Sequence, residues 1–436
     1  HTGAFLRQEK ILSQFAHEYW YEEMARQGFV VGSHPEQPLP DARIIAGFPV
    51  PGNNSVVDTL SAEEWQQAIR SCKSMALRSE VFAKDAPLTG ATSAQLQKEL
   101  TPFSVATHNC VIELLQPKGQ NRHAVFVVKE SEAITYNYER NTADPRIAHN
   151  LNIKLDKYGN VLESAAVVYA RVQDDISLPL ETTAAQKQTT IIYSQNKFTN
   201  DIKTDEDYRL RVPSEVKTFE LKGVSKTAGA FHSIGDFDTI LADALDAQYH
   251  EVDKTPTPGS SQKRLIEHIR SVFYKNDLTG SLPLHFLESK ALPFENYQLA
   301  YTPDLVADIF GSKVNPLLMA EGKFTNSEGD NNWWIRSGTT QLIESGETYI
   351  NAQNRFYVPV SYTDPYGAKT KVKYYSNYFF FIEETEDALQ NKTRVVTFDM
   401  RTLSPSRMED INANFSEVLI DELGLPKAMA IYGKGN

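Results

Sequence analysis

Cysteine is nearly absent: Cys72 and Cys110 are the only two in 436 residues. Two isolated thiols without CxxC spacing make neither a zinc site nor a disulfide framework. The pair reads as buried structural thiols, with a single bridge between them as the alternative. Basic residues are also few, 44 Lys and Arg against 56 Asp and Glu, for a net charge of −12. That balance argues against partners such as nucleic acid or anionic membrane, because phosphate binding needs clustered Lys and Arg. No apolar run approaches the roughly 18 residues of a membrane span, so direct membrane insertion is not expected. The opening HTGAFLRQEK lacks a basic start followed by an apolar stretch, so no signal peptide is expected. A start on His1 rather than Met reads as an internal cut in a longer polypeptide. No GxSxG, Walker loop or dinucleotide fingerprint occurs.

What is abundant is aromatic and apolar. The chain has 20 Tyr, 22 Phe and a hydrophobic share of 41%, enough for a sizeable core. Leu12, Phe15, Ala16 and Tyr19 fall at helical steps, and Ser61-Ala-Glu-Glu64 is a capping box ahead of a stripe through Trp65, Ile69, Cys72 and Met75. The Pro- and Gly-rich stretch from Gly32 to Asn54 reads as a loop joining these helices. From about Pro102 the period changes to two, in HAVFVVKE, AITYNYERN, TTIIYSQN and EVKTFELKG. Leu151, Ile153 and Leu155 point one way, Asp156-Lys-Tyr-Gly-Asn160 turns the chain, and alternation resumes through Ala165, Val167 and Tyr169. This is a long hairpin, with Gly159 able to take the positive φ. KRLIEHIRSVFY fits a strand or a short amphipathic helix. FDTILADALDAQY, after Asp236, and DLVADIF, capped by Thr302 and Pro303, read as helical islands. The segment from His250 to Gln262 reads as a linker. The chain thus reads as four segments: a mostly helical 1–100, a β-rich 101–250, a linker, strand and short helix over 251–320, and strand-turn repeats over 321–436.

The last segment carries the most specific pattern. Asp364-Pro-Tyr-Gly-Ala368 precedes KTKVKYY, Asp387-Ala-Leu-Gln-Asn391 precedes KTRVVTF, and Asp410-Ile-Asn-Ala-Asn414 precedes FSEVLI. The aspartates are 23 residues apart (387 − 364 and 410 − 387), and Asp421-Glu-Leu-Gly-Leu425 comes 11 residues later. Each unit reads as an Asp-initiated turn followed by an alternating strand. Units this small cannot bury an apolar face alone, so they must line up into a long sheet, which twists and can curl into a wall.

Several groups invite chemical readings. His17-Glu-Tyr-Trp-Tyr21 starts like a zinc helix but lacks the second His, and is read as a helix-surface histidine. Asp144, Arg146 and His149 could suggest acid–base work, and are read as a network bracing a turn before a strand. Asn326 to Asn332 is rich in oxygen ligands but lacks EF-hand spacing, and is read as a solvated turn. Glu383, Glu384, Glu386 and Asp387 could be a glycosidase-like cluster, and are read as a charged strand edge. Trp333 and Trp334 could stack on sugar, and are read as buried anchors where a strand begins. No residue is assigned a catalytic, cofactor-binding or metal-ligating role.

The Asp-x-x-Gly turn and strand units resemble rearrangement-hotspot (RHS) repeats in degenerate form; Gln390 and Ala413 stand where that repeat has Gly, and Asn391 and Asn414 are expected to carry the left-handed turn instead. HTGAF, HAVFVVKE, YNYERNTADPRIAHNLNIKLDKYGNVLESAAVVYAR, YRLRVPSEVKTFELKG, KRLIEHIRSVFYKNDL, ENYQLAYTPDLV, WWIRSG and FYVPVSYTDPYG are, in order, similar to the post-propeller region of Tc (toxin complex) toxin B components. The resemblance implies a mainly β chain: a long curved antiparallel sheet of RHS-like strand-turn repeats, part of a hollow shell, with a helical N-terminal segment and short helical insertions. It implies a secreted, extracellular, non-enzymatic wall segment with no cofactor. Its partners would be the remainder of the same B component, the C component whose cytotoxic payload the shell encloses, and the A component pore, reached through the B propeller. The residues alone leave open a carbohydrate-binding or carbohydrate-cleaving β-protein, motivated by the aromatic residues and clustered acids.

Overall fold

In a computed structural model the described residues are 13–47, 59–375 and 378–433. The helical reading at Leu12 and the part of the Gly32–Asn54 loop from residue 48 onward lie outside them. The chain divides into two compact units, one of residues 1–195, 218–247 and 251–266, the other of residues 196–217, 248–250 and 267–436.

The first unit is built on strands β1 (Arg43–Ala46), β2 (Arg78–Val81), β3 (Ser104–Gln116), β4 (Val125–Asn137), β5 (Arg146–Leu155) and β6 (Val161–Val168). β3 to β6 form a meander whose antiparallel neighbours are consecutive in the chain, as short hairpin connections require. β1 lies inside the stretch read as loop. It pairs in parallel with β3, Arg43 opposite Val111 and Ala46 opposite Leu114, and four residues are too few for periodicity to reveal. β2 pairs antiparallel with the other end of β3.

Two apolar clusters flank the β3–β4 hairpin. Helix α1 (Trp20–Arg26) sets Trp20 and Met24 among Val105, Ile134, Tyr136, Leu151 and Tyr193. Helix α2 (Ala62–Ser71) begins at the anticipated capping box, Ser61 and Glu64 satisfying each other's backbone donors, and sets Trp65 and Ala68 against Cys110, Ile112 and Leu114. A bulge in β4 makes both possible. Asn109 stands opposite Glu132 but Cys110 opposite Glu130, so Ser131 is an extra residue. Phe126 and Val128 therefore join one cluster and Ile134 and Tyr136 the other, although all four are even-numbered.

The next strands are β7 (Thr190–Phe198), β8 (Ile202–Lys203), β9 (Tyr208–Arg209), β10 (Pro213–Lys222), β11 (Leu245–Ala247) and β12 (Gln262–Phe273). β12 resolves the ambiguity of KRLIEHIRSVFY in favour of a strand. The helix expected over FDTILADALDAQY is shorter: a 3₁₀ turn at Ile234–Phe237, one helical turn at Ile240–Asp243, then β11, which pairs in parallel with Gln262–Arg264. Phe237 and Ile240 are buried, and strand pairing overrides the helical spacing from Leu245 onward.

In the second unit β13 (Pro293–Tyr301) pairs with β12 and with β14 (Trp333–Arg336). The island at Thr302 is helical, its cap confirmed by the Leu305 N–H donating to Thr302 Oγ1, but it widens into a π-turn over Val306–Phe310 and ends at Gly311, φ +54°.

Eight further strands form an unbroken antiparallel meander: β15 (Thr339–Gln341), β16 (Ser361–Thr363), β17 (Lys369–Tyr375), β18 (Tyr378–Glu386), β19 (Lys392–Asp399), β20 (Ser404–Glu409), β21 (Phe415–Ile420) and β22 (Pro426–Tyr432). The 23-residue step is thus one hairpin rather than one strand. The Asp364, Asp387 and Asp410 turns join β16 to β17, β18 to β19 and β20 to β21, all at one end of the meander. Asp421 comes one strand later, at the opposite end.

The turns at Asp156, Asp364, Asp387, Asp410 and Asp421 share one construction. The Asp N–H donates to the carbonyl four residues on, and its own carbonyl accepts from the N–H of the fourth turn residue. Its Oδ1 accepts from the N–H groups of the third and fifth residues, every one at 2.8 or 2.9 Å. The fourth residue is left-handed throughout: Gly159, Gly367 and Gly424 at +87°, +90° and +85°, but also Gln390 at +66° and Ala413 at +63°. Asn391 and Asn414 do not carry that conformation. Each instead donates its Nδ2 to the second carboxylate oxygen of Asp387 or Asp410, as Asn160 does to Asp156. That side-chain bond, followed by the backbone one, holds the Asp387 and Asp410 carboxyls below their ordinary pKa.

An L-residue in this conformation costs roughly 1–2 kcal/mol, against about 0.5–1 kcal/mol for the entropy of Gly. Ala413→Gly is therefore expected to stabilise the chain by about 0.5–1 kcal/mol in a urea melt. Ala368→Gly, one place later in its own turn and outside the left-handed region, is expected to lower the same midpoint.

Candidate functional site

The densest buried charge cluster lies in the second unit, and sequence reasoning missed it. β12 alternates, so His268 and Arg270 share a face, both nearly excluded from solvent. β10 supplies Glu215, 4% exposed. His268 Nε2 donates to Glu215 Oε1 at 2.7 Å, Lys197 Nζ lies 3.0 Å from Oε2, and Arg270 Nε donates to Oε1 at 3.3 Å. His285 Nδ1 is 2.8 Å from Ser214 Oγ, with its other nitrogen 3.6 Å from Glu215. Burial alone would raise the Glu215 pKa, but the hydrogen bonds from His268 and Lys197 outweigh it and hold the carboxylate well below its ordinary range. His268 is pushed below its ordinary value by burial, against the pull of Glu215. A neutral imidazole with its proton on Nε2 is the donor that fits both.

The oxygen-rich loop from Asn326 to Asn332 closes over the same cluster. Arg270 Nη1 donates to Ser327 O at 3.0 Å and to Asp330 Oδ2 at 2.9 Å, while Trp334 Nε1 donates to Asp330 Oδ1 at 2.9 Å. The guanidinium stacks on the Trp334 ring, 4.2 Å from its centroid, and His268 meets that ring edge-on. The loop is pinned to a buried cation rather than being the solvated turn expected, and its carboxylate is engaged by Arg270. Trp334 is fully buried, as an anchor should be; Trp333 is half-buried. Lys197, Glu215, His268, Arg270 and Asp330 are scattered over 134 residues (330 − 197 + 1), so no local motif announced them.

In the first unit the group Asp144, Arg146 and His149 is not brought together. Asp144 takes a forked bond from Arg171 at 2.7 and 3.0 Å and the N–H groups of Val172 and Gln173. Arg146 pairs with Glu139, and buried His149 lies between the Tyr169 hydroxyl, 3.1 Å, and Glu132, 3.3 Å. His17 sits exposed on a 3₁₀ turn beside Glu18. A second unforeseen carboxylate is Glu36, which accepts from Trp20 Nε1 and Tyr138 Oη, both at 2.7 Å, and meets Arg78 at 2.9 Å. It borders a cleft of about 440 Å³ with Tyr19, Tyr21 and Pro38.

The acidic run at 383–387 corrects an expectation. β18 is not an edge, since β17 and β19 flank it. Glu386 and Glu383 meet Lys371 and Lys373 on one side, at 2.8 and 2.9 Å, and Glu384 meets Lys392 on the other, at 2.8 Å. Asp387 is the turn residue. These are cross-strand ladders that fix register, not a cleft with two free acids. Cys72 and Cys110 are both free thiols. Among the described residues no three His, Cys, Asp or Glu side chains are grouped to hold a metal ion, and no helix is long and apolar enough to cross a membrane. Chemically, each of these clusters ties strands together.

Residues 67–212 match the insecticide toxin TcdB middle/C-terminal region. The chain resembles that part of a Tc toxin. Its fold, large antiparallel sheets with no closed barrel, is shared with the crystal structure of TcdB2-TccC3, at a TM-score of 0.62 and 18% identity. That alignment covers 94% of this chain and 19% of that one. The Photorhabdus luminescens Tc holotoxin pore gives a TM-score of 0.61 at 18% identity, over 99% of this chain and 19% of that one. TcdB2-TccC3-Cdc42 gives 0.60 at 18%, over 90% and 18%. The chain thus spans about a fifth of the length of the structures it matches. No curated protein matches by sequence.

The lowered pKa values of His268 and Glu215 have the same sign for stability. A group whose folded pKa lies below its unfolded one binds fewer protons when folded, so acid favours unfolding. The His268 contribution is present above its unfolded value of 6.5 and is lost as pH falls through the folded value. The Glu215 contribution is present above 4.5 and is lost at still lower pH. The urea midpoint is expected to fall between about pH 7 and about pH 5, and to fall less in His268→Gln. At about pH 7, Glu215→Ala leaves the buried His268 N–H without its acceptor while Arg270 keeps Asp330, and is expected to cost about 1–3 kcal/mol in the same melt. A pH-independent midpoint would contradict these assignments.

Proposed function

We propose that this chain is a non-catalytic wall segment of a Tc toxin B component, part of a secreted β-shell that encloses a cytotoxic C-component payload and passes it to the A-component channel. The observation that carries this reading is the meander β15 to β22. Its strands succeed one another without a crossover, its reversals repeat one construction, and many of its apolar side chains, among them Leu419, Met429 and Ile431, are exposed. A single sheet of this kind gains stability by extension and by lining a surface shared with other strands, not by folding onto itself. A wall also suits a payload that is partly unfolded, because confinement keeps exposed apolar surface from aggregating. The clusters at Glu215, Glu36 and Asp144 fit the same role, since each holds a carboxylate against an arginine or lysine of another strand or loop.

The test is an electron-microscopy image of the assembly that contains this chain together with its C-component partner. A hollow particle with β15 to β22 in its wall is expected; a solid rod, or a particle with these strands outside the wall, overturns the proposal. In a delivery assay, Glu215→Gln and His149→Gln are expected to change particle stability in proportion to any loss of delivery. Loss of all activity in a fully stable particle would instead assign this chain chemistry of its own.

A further inference from the structure

The two cysteines stand 38 residues apart in sequence, yet their Sγ atoms are 3.9 Å apart. Cys72 is the C-cap of α2 and Cys110 lies mid-strand in β3. Both are free, and no other thiol exists in the chain to compete. Their exposure differs: Cys110 is 2% exposed, whereas Cys72 is half-buried at the edge of the cluster that holds Trp65 and Ala68. Cys72 is thus the more accessible of the two residues, and the second sulfur lies within 3.9 Å of the first.

We propose that Cys72 and Cys110 form an oxidisable dithiol, Cys72 the attacking thiol and Cys110 the resolving one, whose disulfide product ties α2 to β3. A small disulfide oxidant such as oxidised glutathione supplies the electron acceptor. The Cys72 thiolate attacks one glutathione sulfur; the S–S bond breaks, a mixed disulfide forms, and one glutathione thiolate leaves and takes up a proton. Cys110 then gives up its proton and attacks Cys72 Sγ, and the second glutathione leaves as a thiol. Two protein thiols are oxidised and one glutathione disulfide is reduced to two thiols. The roles match the surroundings. The hydrogen bond between the two sulfurs lowers the Cys72 pKa and raises that of Cys110, which burial raises further. The product closes a loop of 39 residues (110 − 72 + 1) that contains β2 and the helix at Ser93–Glu99, and it restricts the unfolded chain accordingly.

The experiment is to equilibrate the intact chain in glutathione buffers of increasing oxidised fraction, alkylate the remaining thiols, and map the peptides without reduction. The expected result is an intramolecular Cys72–Cys110 peptide lacking two hydrogens, simultaneous loss of both titratable thiols, and a thermal midpoint several degrees higher. Cys110→Ala is expected to stop at a glutathione adduct on Cys72, and Cys72→Ala to leave Cys110 unreactive while folded. If either variant fails to fold, the order of alkylation in the unsubstituted reduced chain decides, with Cys72 expected to react first. A persistent Cys72 adduct in the unsubstituted chain, a dimer linked through Cys72, two thiols that survive oxidation, or Cys110 reacting first would each overturn the proposal.

Discussion

Every reversal of an antiparallel sheet leaves backbone donors and acceptors outside the ladder, and a chain with this many reversals must satisfy them repeatedly. The Asp-initiated turn is the local solution. One carboxylate oxygen takes two N–H groups, the backbone closes two more bonds, and the chain leaves in register for the next strand. Because the carboxylate is acceptor-only when ionised, the turn needs no neighbouring element to complete it. A sheet can therefore be lengthened hairpin by hairpin without first finding a second layer.

Where the sheets acquire depth, buried charge stands beside the apolar clusters. Glu215, Glu36 and Asp144 each sit with an arginine whose fork reaches the carboxylate and, for Arg270 and Arg171, a backbone carbonyl as well. Buried ion pairs of this kind add little net stability compared with an apolar filling, but they tolerate only one arrangement of their partners. Between β17, β18 and β19 the same logic appears in a milder form, with lysines and glutamates alternating across the ladder. A strand slipped by one residue there would set these charges against uncharged residues such as Thr385 and Thr393 and turn every side chain to the other face.

The elements with a strong period were legible before the structure. Leu151, Ala165 and Val167 fall on the buried side of their hairpin as alternation requires, and the capping box at Ser61 starts its helix where the spacing places it. The elements that escaped were set by distant partners. β1 exists because β3 offers it a parallel edge, and the helical spacing after Ile240 yields to pairing with Gln262–Arg264. The acidic run at 383–387 has the composition of a protective edge, and only the neighbours on both sides identify it as interior. Gln390 and Ala413 escaped for a subtler reason. The turn is set by its Asp, so it can impose a left-handed residue where the sequence offers no glycine.

The extra residue Ser131 in β4 governs more than its own neighbourhood. It makes a single hairpin the ceiling of one apolar cluster and the floor of the other, so the number of residues between Val128 and Ile134 is a structural constant. Loss or gain of one residue there would rotate half of β4 and exchange its buried and exposed sides, while a change of length at the tip of the adjoining loop, between Lys118 and Ala124 whose N–H groups bond Glu64 and Gln67, would leave that register intact.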